Sequence, residues 1–334
     1  MNVLVTGGAG YIGSHAVKYL QRAGHKVVVI DNLNRGWRPA VSGEAMLVVH
    51  DLEDWRHTAR VLESNSIDCV MHFAALAYVG ESVREPLRYY WANTANALAT
   101  LRAMNETGVN RLVFSSTCAT YGEPSEEFIP IPETCPQRPI NPYGWSKLFV
   151  EQIIADYANA NPDFGYAMLR YFNVAGSDPD GEIGEVHDPE THLIPIILQA
   201  ALGLRKQVTI FGADYDTPDG TCIRDYIHVE DLISAHIAAM DAIEGGSRLV
   251  YNLGIGRGYS VREILDSARR VTGEKIKAVE GERRPGDPPR LFADPTKVQA
   301  ELGWTAQHTE IDEIIATAWN WISKHPHGYF APRD

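Results

Sequence analysis

Only four cysteines, Cys69, Cys118, Cys135 and Cys222, occur in the 334 residues, widely separated and with no Cys-x-x-Cys or Cys/His metal spacing. That scarcity excludes a disulfide-stapled scaffold and a cysteine-built metal centre, and no metal is expected. No run approaches the roughly 18 apolar residues needed to cross a bilayer. Met1 leads almost at once into Val3-Leu4-Val5, without the charged, apolar and cleavable parts of an export signal. A cytoplasmic protein that does not enter membranes is expected. Cations are also in deficit, with 30 Lys and Arg against 43 Asp and Glu and a net charge of −13. Binding a phosphate backbone or an anionic surface draws on clustered Lys and Arg, so nucleic acid and membrane are not expected partners. An anionic small molecule would have to be held by a few local cations.

What is present is ordinary for a globular chain, 45% hydrophobic and 22% charged. Short β-branched runs alternate with helical patterns. Val3 to Val5, Val27 to Ile30, Met46 to Val49, Cys69 to Met71, Leu112 to Phe114 and Tyr166 to Leu169 read as strands. Ile12 to Ala23, Glu81 to Thr107 and Tyr143 to about Asn159 read as helices. This alternation predicts an α/β fold, a doubly wound parallel sheet of Rossmann type. After Arg170, Gly, Pro and Asp recur between shorter elements, such as a helix at Leu193 to Leu202. The division expected is a dinucleotide-binding domain over 1–173 and a smaller, loop-rich α/β region over 174–334 that holds substrate. The two are interleaved, because a strand at Val250 to Leu253 and the helix at Val229 to Ile243 suit a return to the main sheet near 225–255.

Two motifs carry chemistry. Gly7-Gly-Ala-Gly10-Tyr11-Ile12-Gly13 follows a strand and opens a helix, the context in which glycines admit a pyrophosphate to the helix N-terminus. Asp31 ends the next strand, where a carboxylate can accept from an adenine ribose and repel a 2′-phosphate, which favours NAD over NADP. The alternative for Asp31-Asn32 is a turn cap. Tyr143 and Lys147 lie four apart on one helix face, so an ammonium near a phenol would favour its ionised form. Thr117 leaves the fifth strand at its carboxyl end, where a doubly wound fold presents ligand-facing groups. Together these residues point to hydride chemistry with a tyrosine acid/base.

From Val3 to about Trp319 the sequence resembles the extended short-chain dehydrogenase/reductases, and within them the UDP-glucose 4-epimerases. The resemblance rests on Val5-Thr-Gly-Gly-Ala-Gly-Tyr-Ile-Gly-Ser-His15, Val79-Gly-Glu-Ser-Val83, Phe114-Ser-Ser-Thr-Cys-Ala-Thr-Tyr-Gly122, Leu169-Arg-Tyr-Phe-Asn173 and Asp219-Gly-Thr-Cys-Ile-Arg-Asp-Tyr-Ile-His-Val229. It implies a redox-neutral inversion at C4 of a UDP-sugar through a 4-keto intermediate, with NAD retained through the cycle. Tyr143 would be the acid/base, its phenol lowered by Lys147 and the positive nicotinamide, and Thr117 the proton relay. Asp51 and Leu52 would meet the adenine, while Phe73, Ala74 and Ala75 line the cofactor path. Asn93, Ser115 and Phe172 would approach the ribose or nicotinamide. Asn173, Arg224 and Arg284 would hold the diphosphate and Asp287 the uridine ribose, with Leu193, Thr209 and Phe211 bordering the phosphates and uracil. Family members form homodimers through a four-helix contact, which the Glu81 to Thr107 and Tyr143 to Asn159 helices would supply, although core packing explains their apolar faces equally well.

Departures bear on the substrate. Ala77 stands where some relatives carry a phosphate-binding lysine, and Pro285 where some carry an acidic residue. Leu291 has an intermediate size at the position that controls room around the sugar's C2 substituent, which leaves N-acetylated sugars open. Asn173-Val-Ala-Gly-Ser-Asp-Pro-Asp-Gly181 is similar to plant-type UDP-arabinose 4-epimerases, which keeps a pentose in play. A dehydratase or decarboxylase would need an acidic residue beside Thr117, where Cys118-Ala119 stands. A net dehydrogenase would consume free NAD, and a non-catalytic NAD-binding regulator would not need the intact Tyr143/Lys147 pair.

Overall fold

A computed structural model of the chain describes residues 1–41, 43–284 and 287–330, so Pro285 lies outside the described residues. Strands β1 (Asn2–Thr6), β2 (Lys26–Asp31), β3 (Met46–Val49), β4 (Cys69–His72), β5 (Arg111–Ser115) and β6 (Gly165–Tyr171) are almost wholly apolar. Such runs suit strands covered on both faces. Four short strands follow, β7 (Asn173–Ala175), β8 (Val208–Phe211), β9 (Ile223–Arg224) and β10 (Tyr226–His228), before β11 (Arg248–Leu253). The last three are β12 (Tyr259–Ser260), β13 (Ala278–Gly281) and β14 (Arg290–Leu291). The main sheet has the order β11-β6-β5-β4-β1-β2-β3 and is parallel throughout.

Helices cover both faces. On one lie α2 (Trp55–Ser64), α5 (Asn96–Thr107) and α6 (Pro142–Ala160), burying Leu62, Leu101, Met104 and Ile154 against the sheet. On the other, α1 (Tyr11–Arg22), α8 (Val229–Asp241) and α10 (Thr296–Leu302) bury Leu20, Leu232, Met240 and Val298. Between α2 and α5 run two short helices, α3 (Val79–Arg84) and α4 (Pro86–Tyr89), and a π-helical turn at Tyr90–Ala95. A separate cluster built on α7 (Leu193–Ala201), α9 (Val261–Thr272) and α11 (Ile311–Lys324) packs Ile197, Leu198, Ile264, Ile314 and Trp321.

The continuous helix expected over Glu81 to Thr107 is therefore interrupted. Pro86 disfavours a helical conformation at the preceding residue, and Glu85 adopts φ −128°, ψ 58°. Its apolar residues divide accordingly: Leu101 is buried, whereas Val83, Leu87 and Leu98 are exposed. Helices α2, α10 and α11 were not anticipated.

The start of α6 fixes the site. The Asn141 side chain accepts from the Gly144 N–H at 2.9 Å and Pro142 takes the first helical position, so Tyr143 emerges in the first turn. Gly144 allows that turn to press against the loop after β5, since a Cβ there would stand 2.5 Å from the Ala119 carbonyl oxygen. We expect Gly144→Ala to force the two segments apart and lower stability by about 1–3 kcal/mol, read by urea unfolding at neutral pH. An unchanged midpoint would contradict this packing.

Candidate active site

Because β2 and β3 run one way from β1 while β5, β6 and β11 continue from β4 the other way, a crevice opens at the carboxyl ends of β1 and β4. A cavity of about 770 Å³ occupies it. The β1–α1 turn contributes Gly7, Gly10, Tyr11, Ile12 and Gly13 to its wall. Gly10 precedes α1 without a side chain to cap it, so the first N–H groups of the helix remain available to an anion. Asp31 also lines the cavity; its carboxylate is buried and accepts from the Ala9 N–H at 3.0 Å and the Leu33 N–H at 2.8 Å. Burial pushes its pKa up against those two bonds. Next to it Asn32 donates to Asp51 at 2.8 Å, and Asp51 with Leu52 forms the adjoining wall. Phe73, Ala74 and Ala75 continue that wall past the end of β4, with Ala77 beyond. The cations Arg35 and Arg88 reach the same lining but are each tied to Glu81, at 2.9 and 3.0 Å.

Thr117, Tyr143 and Lys147 all face the cavity. The Thr117 hydroxyl accepts from the Ala119 N–H at 3.1 Å, which leaves its own proton to donate. Burial pushes the Tyr143 phenol well above its ordinary value, the neighbouring Tyr171 adds to this, and the Thr117 hydroxyl pulls the other way. In the nucleotide-free chain burial therefore outweighs any lowering of the phenol by its neighbours. Lys147 is itself fully buried, which drags its ammonium down to about 7, with Glu151 opposing. Its Nζ donates to the Ser115 carbonyl at 2.8 Å and lies 4.9 Å from the centre of the Phe114 ring.

Glu151 continues the stripe one turn beyond Lys147. Its carboxylate is 2.7 Å from the Arg170 guanidinium of β6 and also accepts from the Ser116 hydroxyl and from Gln137 at 2.9 Å. Arg170 in turn donates to the Tyr121 hydroxyl at 2.9 Å, which donates to Asn252 of β11 at 2.7 Å. These residues were missed, although the signal existed: Glu151 repeats the four-residue spacing, and Arg170 is a charge set in an apolar strand.

On the far side, Phe172, Asn173, Leu193, Asp287 and Leu291 line the cavity. Other expected contacts stand behind or beside the wall. Asn93 is buried with its amide spent on both backbone groups of Leu76 and on Ser146. The Ser115 hydroxyl pairs with the Tyr171 hydroxyl at 2.9 Å. Arg224 is paired with Asp287 and donates to the Pro288 carbonyl at 2.8 Å. Thr209 and Phe211 belong to β8, which pairs with β13, and the Arg284 guanidinium sits 4.1 Å over the Phe211 ring. None of these six is in the cavity lining.

Residues 3–254 match the family described as "NAD dependent epimerase/dehydratase family". The chain belongs to that family. It is 49% identical over 330 residues to a UDP-glucose 4-epimerase of Lacticaseibacillus casei, covering 98% of this chain and 99% of that protein. It is 47% identical over 341 residues to a probable UDP-arabinose 4-epimerase of Oryza sativa subsp. japonica, covering 98% and 84%. A crystal structure of the Bifidobacterium longum UDP-glucose 4-epimerase in complex with NAD+ and UDP superposes with a TM-score of 0.94 at 40% identity, covering 98% of this chain and 100% of that one.

The charge on Lys147 is measurable through stability. The folded chain releases the Lys147 proton near pH 7, whereas the unfolded chain holds it to the ordinary lysine value of 10.5. Between those limits the unfolded state binds more protons, so this group's contribution to stability rises with pH. In nucleotide-free protein we expect the stability of Lys147→Met minus that of wild type to fall as pH is raised from about 6.5 to about 9.5. A difference independent of pH in urea unfolding would show that Lys147 is not desolvated as described.

Proposed function

We propose that this protein interconverts the C4 epimers of a UDP-sugar, UDP-glucose and UDP-galactose foremost, using tightly held NAD and no net oxidation. The observation that carries this is the meeting of Thr117, Tyr143 and Lys147 in one cavity with the uncapped start of α1. The residues present suit the dinucleotide: the α1 N-terminus would take its pyrophosphate, Asp31 its adenine ribose, and Asp51 and Leu52 its adenine. When bound, NAD supplies a positively charged ring that accepts hydride from the sugar's C4 and returns it to the opposite face.

Everything else falls to side chains of this chain. The Tyr143 oxygen takes the proton of the sugar's 4-hydroxyl as C4 is oxidised and gives it back as C4 is reduced. Thr117, with its hydroxyl proton free, bridges that sugar oxygen and Tyr143. Lys147 would bond the nicotinamide ribose while its charge favours the phenolate. Asn173, Leu193 and Asp287 would border the UDP, with Arg224 freed from Asp287 to meet the diphosphate. We assign 1–173 with the returning segments near 225–255 to NAD and 174–334 to the UDP-sugar. Cys118-Ala119 beside Thr117 offers no acid for eliminating water, which weighs against a dehydratase.

A pentose substrate is the second reading, supported by 47% identity to the rice UDP-arabinose enzyme over 98% of this chain. Incubation with UDP-glucose, UDP-xylose and UDP-N-acetylglucosamine in separate reactions, with chromatography of the products, distinguishes the substrates. The 4-epimer should form without accumulation of NADH or loss of water or carbon dioxide; any of those would overturn the assignment. Tyr143→Phe should lower kcat by about 10²- to 10⁴-fold with NAD still bound, and near-normal turnover would remove Tyr143 from this role.

The four cysteines are all free, in keeping with a reducing cytoplasm. No described helix is long and apolar enough to cross a membrane. We further propose a homodimer. Leu87, Leu98, Trp145 and Phe149 are exposed on α4, α5 and α6, where Phe149 packs against Trp145 and Tyr90 with ring centroids 5.6 and 5.9 Å apart. Burial of such a patch drives association. Sedimentation should give twice the chain mass for wild type and one chain mass for Leu98→Asp/Phe149→Asp; a monomeric wild type would refute the dimer.

A further inference from the structure

We propose that Glu185, His187, Glu190 and His192, on the loop leading into α7, form a binding site for one divalent transition-metal ion, with zinc the best match to the donors. Each contributes one ligand atom, and the four atoms lie within 4.8 Å of one another. The Glu185 Oε1 is 3.1 Å from both His187 Nδ1 and His192 Nδ1, and Glu190 oxygens are 3.6 and 3.0 Å from the same two nitrogens. Ligands about 2.0–2.1 Å from a tetrahedral zinc ion are separated by about 3.3–3.4 Å, the middle of that range. Two imidazoles and two carboxylates form a donor set that suits zinc and its first-row neighbours.

Burial and the alignment of the donor atoms point the same way. The Glu185 side chain is 7% exposed, and although its Oε1 lies 3.1 Å from the Nδ1 atoms of His187 and His192, among the described residues neither that oxygen nor the His187 Nδ1 meets a partner in hydrogen-bond geometry. Buried polar atoms this close but poorly aligned with one another suit a central ion that both would ligate. Glu190, 4% exposed, is already aimed, because its Oε1 accepts the N–H groups of Thr191 and His192, both at 2.8 Å. Outer bonds of this kind hold ligands in place. Tyr78 packs edge-on against His187 at 5.8 Å and tilted against His192 at 6.2 Å, which restrains both rings. The other His/Glu group, His228, Glu230 and His308, lacks these features. Both ring nitrogens of His228 are occupied, by the Glu230 N–H at 3.1 Å and the Thr317 hydroxyl at 2.9 Å.

Glu185, His187 and His192 line the cavity beside Leu193. A metal there would pin the wall from which α7 starts, and its presence does not depend on the epimerase reading. The competing description is two proton-held His/Glu pairs. Purified protein stripped with a chelator should be dialysed against Zn²⁺ and, separately, Co²⁺, with metal content and the cobalt ligand-field spectrum measured. One equivalent per chain, a tetrahedral cobalt spectrum and a higher Tm with Zn²⁺ are expected. Glu185→Gln and His192→Ala should each weaken binding by at least about 100-fold, while His308→Ala binds as wild type does. The absence of saturable binding in wild type, full binding in both loop variants, or its loss in His308→Ala would overturn the site.

Discussion

Glu151 and Arg170 meet inside the protein at 2.7 Å, with side chains 5% and 8% exposed, and neither charge would be tolerated there without the other. Their contact ties α6 to β6. Through the Ser116 hydroxyl it also grips the end of β5, and through Tyr121 and Asn252 it reaches β11. Each turn of α6 back from Glu151 then has a fixed position, with Lys147 on the Ser115 carbonyl and Tyr143 at the helix start. An acid/base held to atomic tolerance needs supports of this kind, because a small displacement of a proton donor is costly to rate.

The same burial that fixes these groups sets their charges. Desolvation pushes the Tyr143 phenol up and the Lys147 ammonium down to about 7, so both lean toward their neutral forms. The histidines near the sheet's end follow suit: burial lowers His72 to about 3 and His236 to about 4. Groups desolvated in this way respond strongly to any charge a ligand brings in. The proposed chemistry uses that sensitivity, since the phenol becomes a base only in the field of its bound partner.

Much of the fold could be read from residue pattern because the main strands are short apolar runs and their order admits few topologies. The glycine turn, Asp31, Thr117, Tyr143 and Lys147 were legible for a related reason: each sits at a strand end or helix start, where local rules apply. The residues that escaped are long-range. Arg170 and Glu151 are recognisable as partners only once β6 and α6 are packed, and Asn93 reads as ligand-facing until its amide is seen to be consumed by Leu76. Helix α2 has only a local signal, the Asp54 cap that accepts from the His57 N–H at 3.1 Å. The Glu-x-His-x-x-Glu-x-His run of 185–192 lacks cysteine, and its convergence depends on the loop's path.

In the proposed reaction one hydrogen leaves C4 of the sugar and comes back to the same carbon without meeting solvent. UDP-glucose carrying deuterium at C4 tests it most directly. After conversion in ordinary water, mass spectrometry of the product should show the deuterium fully retained at C4 of UDP-galactose. Washout of the label into water would contradict the account, because it would mean that C4 is inverted by proton exchange and not by a returned hydride.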